Sequence, residues 1–309
     1  MPATVPEPWG SLITEWVIAL RSENKSARTI RGYTDPVCWF HSWLHQQPEA
    51  PAAPEDVGPL HVRAWIAHRI EATSPGNAHN NYRALQQWFR FLVEEEETTT
   101  HPMAGLKPSH VPDKPPPITS DEVMRAVLED CAGKSFLQRR DTAIIRLIWD
   151  TGARLSEIAN LECEHVDLTV CAIHVLGKGG KPRSIPFSAK TAQALSRYKR
   201  VRAREKGADS SYLWLADRNK GRLGANGIRI MLARRGRAAG VNEQIGRNLH
   251  AHLGRHYMAH HAKASGIQDG DLMLLAGWTS PQMVERYGRS EATERARAAA
   301  RNLRLGDRL

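Results

Sequence analysis

The run from Thr98 to Pro117 limits the possible folds of this chain more than any other stretch. Three consecutive threonines are followed by Pro102, Gly105, Pro108, Pro112 and Pro115 to Pro117, with little hydrophobic periodicity. Proline lacks the amide donor that helices and inner strands need, and it keeps a segment extended. Such a segment suits a connection between two cores better than the interior of one. A chain of 309 residues is long enough for two domains, since domains commonly run to about 100 to 200 residues. The expected division is a domain over 8–97, a linker over 98–117 and a second domain over 118–309.

Upstream of the linker the apolar residues recur at helical spacing. Leu12, Ile13, Trp16, Val17 and Leu20 mark one helix, and Ile30, Tyr33, Val37, Phe40 and Leu44 mark a second, which Pro36 should bend. A third carries Val62, Trp65 and Ile66; a fourth carries Tyr82, Leu85, Phe89 and Leu92. Four helices with short connections predict a small all-α bundle. Arg28 and Arg31 on the second helix, with Asn81, Arg83 and Gln87 on the fourth, are side chains able to reach phosphates or base edges.

Downstream, Thr119-Ser-Asp-Glu122 reads as a capping box. Helices are expected over 120–131 and 138–150, the second ended by Gly152, with Arg154 at the mouth of the next. Val170 to Val175, the turn Gly177-Lys-Gly-Gly-Lys-Pro182 and Arg183 to Phe187 predict a β-hairpin with Lys178 near its tip. Further helices are expected over 189–204, 224–239, 250–265, 270–276 and 281–287, and a basic, alanine-rich one over 291–305. The fold class is therefore mainly α with a small β-hairpin or sheet: a four-helix bundle followed by an α+β domain.

Charge narrows the partner. A net charge of +10 favours a polyanion, and nucleic acid is the commonest for an intracellular protein. Cys38, Cys131, Cys163 and Cys171 lack zinc or disulfide spacing, which fits a reducing cytoplasm. No export signal opens the chain, and no apolar run approaches the roughly 18 residues of a membrane span. A cytoplasmic protein without a membrane partner is expected.

Within that frame, one set of residues matches the requirements for cutting a phosphodiester. The reaction needs an aligned nucleophile, cations on the non-bridging oxygens and an acid for the departing 5′ oxygen. Arg154 and Arg255 offer planar forks matched to phosphate. Lys178 and His252 offer protons, Trp278 an N–H donor and Tyr287 a nucleophile. An aryl phosphate ester remains open to reverse attack by a DNA hydroxyl, so rejoining needs no ATP. His252 and His256 could form half of a zinc site, but Arg255 lies where a zinc protease helix would carry glutamate; neither a metal nor another cofactor is expected.

Thr151-Gly-Ala-Arg154-Leu-Ser-Glu157, Gly177-Lys178-Gly, His252-Leu-Gly-Arg255-His256, Ala276-Gly-Trp278 and Tyr287, in that order, resemble the tyrosine recombinase, or phage integrase, family. The resemblance covers nearly the whole chain. It implies a SAM-like core-binding bundle ahead of a tyrosine recombinase catalytic domain, together forming a clamp on DNA. It also implies a site-specific recombinase that cleaves and rejoins strands through a 3′-phosphotyrosine, independent of metal. By position, Arg154 and Arg255 would bind the scissile phosphate, Lys178 would protonate the 5′ oxygen and His252 would assist proton transfer with Tyr287. Trp278, where many members have histidine, would supply a hydrogen bond and packing. Glu157 would brace the site, and His256 would support it from behind.

Lys181 is the alternative to Lys178. Lys181, Arg183 and Arg229 join the bundle residues as candidate DNA contacts, and Arg234 and Arg235 are candidates for the DNA backbone. The expected partner is double-stranded DNA with an inverted-repeat core site, bound by a homotetramer on two duplexes and associated with the nucleoid. The segment 291–305 would dock on a neighbouring protomer. The chain begins almost directly with the bundle, so a simple recombinase without an arm-binding domain is expected. Gly254 stands where the family most often has leucine, which should loosen Arg255. Two rival readings remain: a type IB topoisomerase, which shares the chemistry and swivels DNA as a monomer, and a DNA-binding protein that keeps the fold without activity.

Overall fold

The computed structural model describes residues 5–112, 119–177, 180, 182–288, 297 and 300–302, with the backbone alone at 219 and 286–288. Two compact units divide the chain, Met1–Lys114 and Pro115–Leu309.

The first unit is the helical bundle: α1 (Trp9–Ser22), α2 (Ala27–Leu44), α3 (Pro59–Ala72) and α4 (Pro75–Glu94). Its helix starts follow local chemistry. Ser26 Oγ accepts from the Thr29 N–H, and Ser74 Oγ from the Asn77 N–H, each satisfying a donor that the first turn would otherwise leave orphaned. Pro59 and Pro75 stand at first helical positions, where a missing N–H costs nothing. α2 continues through a buried Pro36. The core is aromatic: Trp9, Trp65, Trp88, Phe40 and Phe89 are fully enclosed, and Trp16 meets Trp88 at 5.1 Å between rings.

The stretch after α4 differs from the extended spacer expected over 98–117. Met103 is buried in the bundle core, the Tyr82 hydroxyl donates to the Leu106 carbonyl at 2.6 Å, and the His79 ring bonds the Ser109 carbonyl at 3.3 Å. Apolar side chains between the prolines hold this segment on the bundle.

The second unit opens with α5 (Asp121–Asp130) and α6 (Phe136–Thr151). Ser120, rather than Thr119, caps α5; Ser135 and Gln138 form a reciprocal capping box on α6. The short α7 (Leu155–Ala159) leads to an antiparallel sheet of β1 (Val166–Asp167), β2 (Ala172–Leu176) and β3 (Pro182–Pro186), in the order β1-β2-β3. β1 is too short to show an alternating pattern in the sequence. Ile173 pairs with Ile185, and Val175 with Arg183. Because strand side chains alternate faces, Arg183 shares the inner face with these apolar residues.

Among the described residues the unit continues with α8 (Ala189–Arg202), α9 (Ala225–Ala238), α10 (Val241–Gln244), α11 (Ala251–Ala264), α12 (Asp269–Ala276) and α13 (Pro281–Gly288). α6 lies at the centre of the core, with Ile144, Ile145, Leu147 and Ile148 fully buried against α8 and α11. A smaller cluster of Ala259, Leu272, Ala276, Trp278 and Val284 ties α11, α12 and α13 together.

Candidate functional site

The site is built around the C-terminal end of α12. The last carbonyls of a helix have no partner within it and carry the negative end of its dipole. Here three consecutive carbonyls accept from three arginines. Arg183 Nε donates to Leu275 O at 3.1 Å, Arg255 Nη2 to Ala276 O at 2.5 Å, and Arg154 Nη2 to Gly277 O at 2.6 Å.

Glycine makes the convergence possible. Gly277 ends α12 with φ of +63°, a conformation other residues rarely adopt. A Cβ there would lie 2.9 Å from Arg183 Cζ and 3.2 Å from Arg154 Nη1. Gly152 ends α6 in the same way, and its carbonyl accepts from Arg255 Nη1 at 2.8 Å. Arg255 is thereby fixed between the ends of α6 and α12, 3% exposed, with its guanidinium 5.0 Å from the centroid of the buried Trp278 ring.

Glu157 links two of these arginines. Its Oε1 accepts from Arg154 Nη1 at 2.9 Å and Arg183 Nη1 at 3.0 Å; its Oε2 accepts from the Arg154 backbone N–H and Arg183 Nη2, each at 2.8 Å. Four bonds fill the acceptor capacity of a carboxylate. Burial acts to raise the pKa of Glu157, but the hydrogen bonds from Arg183 and then Arg154 prevail and hold it below the usual value. Three guanidiniums against one carboxylate leave a local charge of +2. Arg154 commits two of its five donors, to Glu157 and Gly277, and its side chain remains 34% exposed. Such a group can take an anion with tetrahedral oxygens.

On α11, His252 is exposed and makes an edge contact with the buried His256 at 4.9 Å between rings. The backbone of α13 carries Tyr287, whose side chain lies outside the described residues, as do Lys178 and Lys181. The segment 291–305 is outside them too, apart from 297 and 300–302, which are helical. Among the described residues, no group of three or more His, Cys, Asp or Glu is arranged to hold a metal ion.

Several candidate DNA contacts fall differently from expectation. Arg28, Arg31, Arg83 and Arg229 are exposed and Gln87 is half-buried, but Asn81 is 1% exposed and donates its amide to the Asn77 carbonyl at 2.7 Å. It stands three residues after Ala78 and four before Leu85, on the core face of α4. Arg183 is not a surface contact either, because its strand position turns it inward to Glu157. Arg235 is largely buried, donating to the fully buried Asp141 at 3.0 Å and to Asp130 at 3.1 Å; Arg140 forks onto the same Asp141. Arg234, more exposed, lies 3.5 Å from Asp141.

Gly254 corrects a further expectation. A Cβ at this position would meet Ile148 Cγ2 at 2.8 Å and the Trp149 ring at 3.0 Å. The glycine lets α11 approach α6 closely, and no loosening of Arg255 results. The roles of Arg183 and Gly277 were missed in the sequence. For Arg183 a signal existed: it alternates with Ile185 and Phe187 along the returning strand.

Comparison with known proteins bears on this geometry. The description "Phage integrase family" matches residues 118–294. A tyrosine recombinase XerC of Azotobacter vinelandii is 30% identical over 244 residues, 78% of this chain and 79% of that protein. One from Pseudomonas fluorescens is 30% identical over 269 residues, 87% of each chain. The fold resembles that of the XerH site-specific recombinase bound to palindromic difH substrate in a post-cleavage complex, with a TM-score of 0.72 and 16% identity over 90% of this chain and 80% of that one.

Proposed function

Because this chain belongs to the phage integrase family, we propose that it is a site-specific DNA recombinase that cuts and rejoins strands through a 3′-phosphotyrosine. The observation that carries this reading is the convergence of Arg154 and Arg255, distant in sequence, on adjacent carbonyls at the end of α12, with Trp278 next in the chain and Tyr287 on the following helix.

The scissile phosphate sits against Arg154 and Arg255, whose positive charge neutralises the non-bridging oxygens as the transition state forms. The Tyr287 oxygen attacks phosphorus and gives up its proton with the help of His252. The bond to the 5′ oxygen breaks, and that oxygen takes a proton from Lys178. Attack by the 5′ hydroxyl of another strand reverses the step and restores Tyr287. Trp278 holds Arg255 through its ring face, and His256 supports His252. The guanidiniums supply the charge that a metal would otherwise bring, so the step requires neither a metal nor ATP. Arg28, Arg31, Arg83, Gln87 and Arg229 contact double-stranded DNA at an inverted-repeat core site. Four protomers on two duplexes, linked through the segment 291–305, complete the exchange.

The direct test uses a nicked suicide duplex carrying the protein's core site, denaturing detergent and mapping of the protein–DNA adduct. The wild type should form one adduct, at Tyr287, and Tyr287→Phe should form none. An unreactive wild type, or an adduct that survives Tyr287→Phe, would overturn the assignment.

A further inference from the structure

We propose that Arg183 is a positioning residue of this site, which holds Glu157 so that the carboxylate braces Arg154 without neutralising it. The proposal rests on the recombinase reading above. Arg183 lies on the inner face of β3, its side chain 12% exposed, and donates through both terminal nitrogens to Glu157 and through Nε to Leu275 O. This is the bidentate fork–carboxylate geometry that only arginine supplies. Arg154 reaches the same carboxylate through a single side-chain N–H.

The electrostatic consequence is specific. Glu157 is shared, so Arg154, Arg183 and Glu157 together retain a charge of +1, and Arg255 brings the site to +2. Without Arg183, two of the four bonds to Glu157 vanish while its carboxylate stays 5% exposed. Unmet acceptors in such a place are costly, and the nearest remaining donors belong to Arg154. The guanidinium would turn further onto Glu157, forming a pair with no net charge and withdrawing from the phosphate. Gly277 permits the movement, because the two guanidiniums lie side by side over the space its missing Cβ leaves open. Arg183 therefore acts by competing with Arg154 for Glu157.

Competition predicts a sign that a purely structural role does not. Arg183→Met keeps the aliphatic stem and should lower single-turnover cleavage of a saturating suicide duplex by about 10-fold to 100-fold, less than the 10²-fold to 10³-fold for losing a direct oxyanion donor. Duplex affinity should hold within a factor of about 2, because one inward-facing guanidinium adds little to the many phosphate contacts that set affinity. Adding Glu157→Gln, which cannot draw Arg154 by charge, should make the double variant faster than Arg183→Met alone. Arg183→Lys, with a compact ammonium in place of the fork, should fall between. If Arg183→Met loses its cooperative melt, Arg183→Lys with and without Glu157→Gln gives the same comparison. A double variant as slow as or slower than the Arg183 single variant, with wild-type protein active, overturns the positioning role and leaves the recombinase reading intact. No adduct from wild-type protein overturns both.

Discussion

Replacing Gly254 tests whether close helix packing positions Arg255. A Cβ would stand 2.8 Å from Ile148 Cγ2, 3.0 Å from Trp149 Cδ2 and 3.1 Å from Trp149 Cε3. Ile148 is fully buried and Trp149 is 5% exposed, so neither has free space to retreat into. Restoring an ordinary carbon contact of about 3.5 Å requires α11 to move by about 0.7 Å. Overpacking costs about 1–3 kcal/mol, and exchanging glycine for alanine within a helix returns about 1 kcal/mol. Gly254→Ala should therefore lose about 0–2 kcal/mol and keep a cooperative transition. The larger effect should be on rate. Arg255 follows directly, and a shift of that size would stretch its bonds to Gly152 O and Ala276 O, at 2.8 and 2.5 Å, and displace its guanidinium. Misplacement by about 1 Å can cost about 10²-fold, so single-turnover adduct formation should fall by about 10-fold to 100-fold, and at least as far in Gly254→Leu. Urea denaturation run beside the cleavage assay separates lost positioning from lost folding. If Gly254→Leu cuts at the wild-type rate with unchanged stability, α11 does not depend on this glycine and the packing argument fails.

Asp141→Asn should cost about 3–5 kcal/mol in urea denaturation, because it leaves the buried guanidiniums of Arg140 and Arg235 without their shared counter-charge; a loss below about 1 kcal/mol would show that the cluster contributes little. In the bundle, burial and then the neighbouring His45 push the pKa of His41 down to about 4 from 6.5. The unfolded chain binds the proton more readily, so stability is complete above about pH 6.5 and declines as pH falls toward 4, by about 2 kcal/mol at pH 5. His41→Phe should flatten this dependence in denaturation curves at pH 7.5 and 5, and an unchanged slope would assign it to other groups.

The bundle was legible because helical burial leaves a period in the sequence. Trp16, Phe40, Trp65 and Phe89 fall on the apolar stripes that the spacing marks, and all four are buried; Trp9 and Trp88 join the same core without having been singled out. The same periodicity carried information that the identity of a residue obscured. Asn81 reads as polar, yet it falls on the stripe formed by Ala78, Leu85, Trp88 and Leu92. The two-residue strand β1 left no such trace, because a partner that short is selected by the sheet it joins rather than by its own pattern. Prolines marked the connection between the units without disclosing that Met103 and Leu106 attach its first half to the bundle.

Arginine is harder to read from sequence. One guanidinium carries five donors and suits a phosphate, a carboxylate or a row of carbonyls equally well. Arg202, with bonds to the carbonyls of Ala208, Ser210, Tyr212 and Leu213, organises a loop and pairs with no carboxylate among the described residues. A net charge of +10 therefore overstates the cations left for DNA. What distinguishes Arg154 is its surroundings: one shared carboxylate, one helix-end carbonyl and a side chain still a third exposed. Those surroundings depend on Gly277, which the sequence presents only as the residue before Trp278. A side chain there would occupy the space in which Arg154 and Arg183 meet, and would strain a backbone already at φ of +63°. Assembly of the cationic site thus depends on an uncharged residue as much as on the arginines themselves.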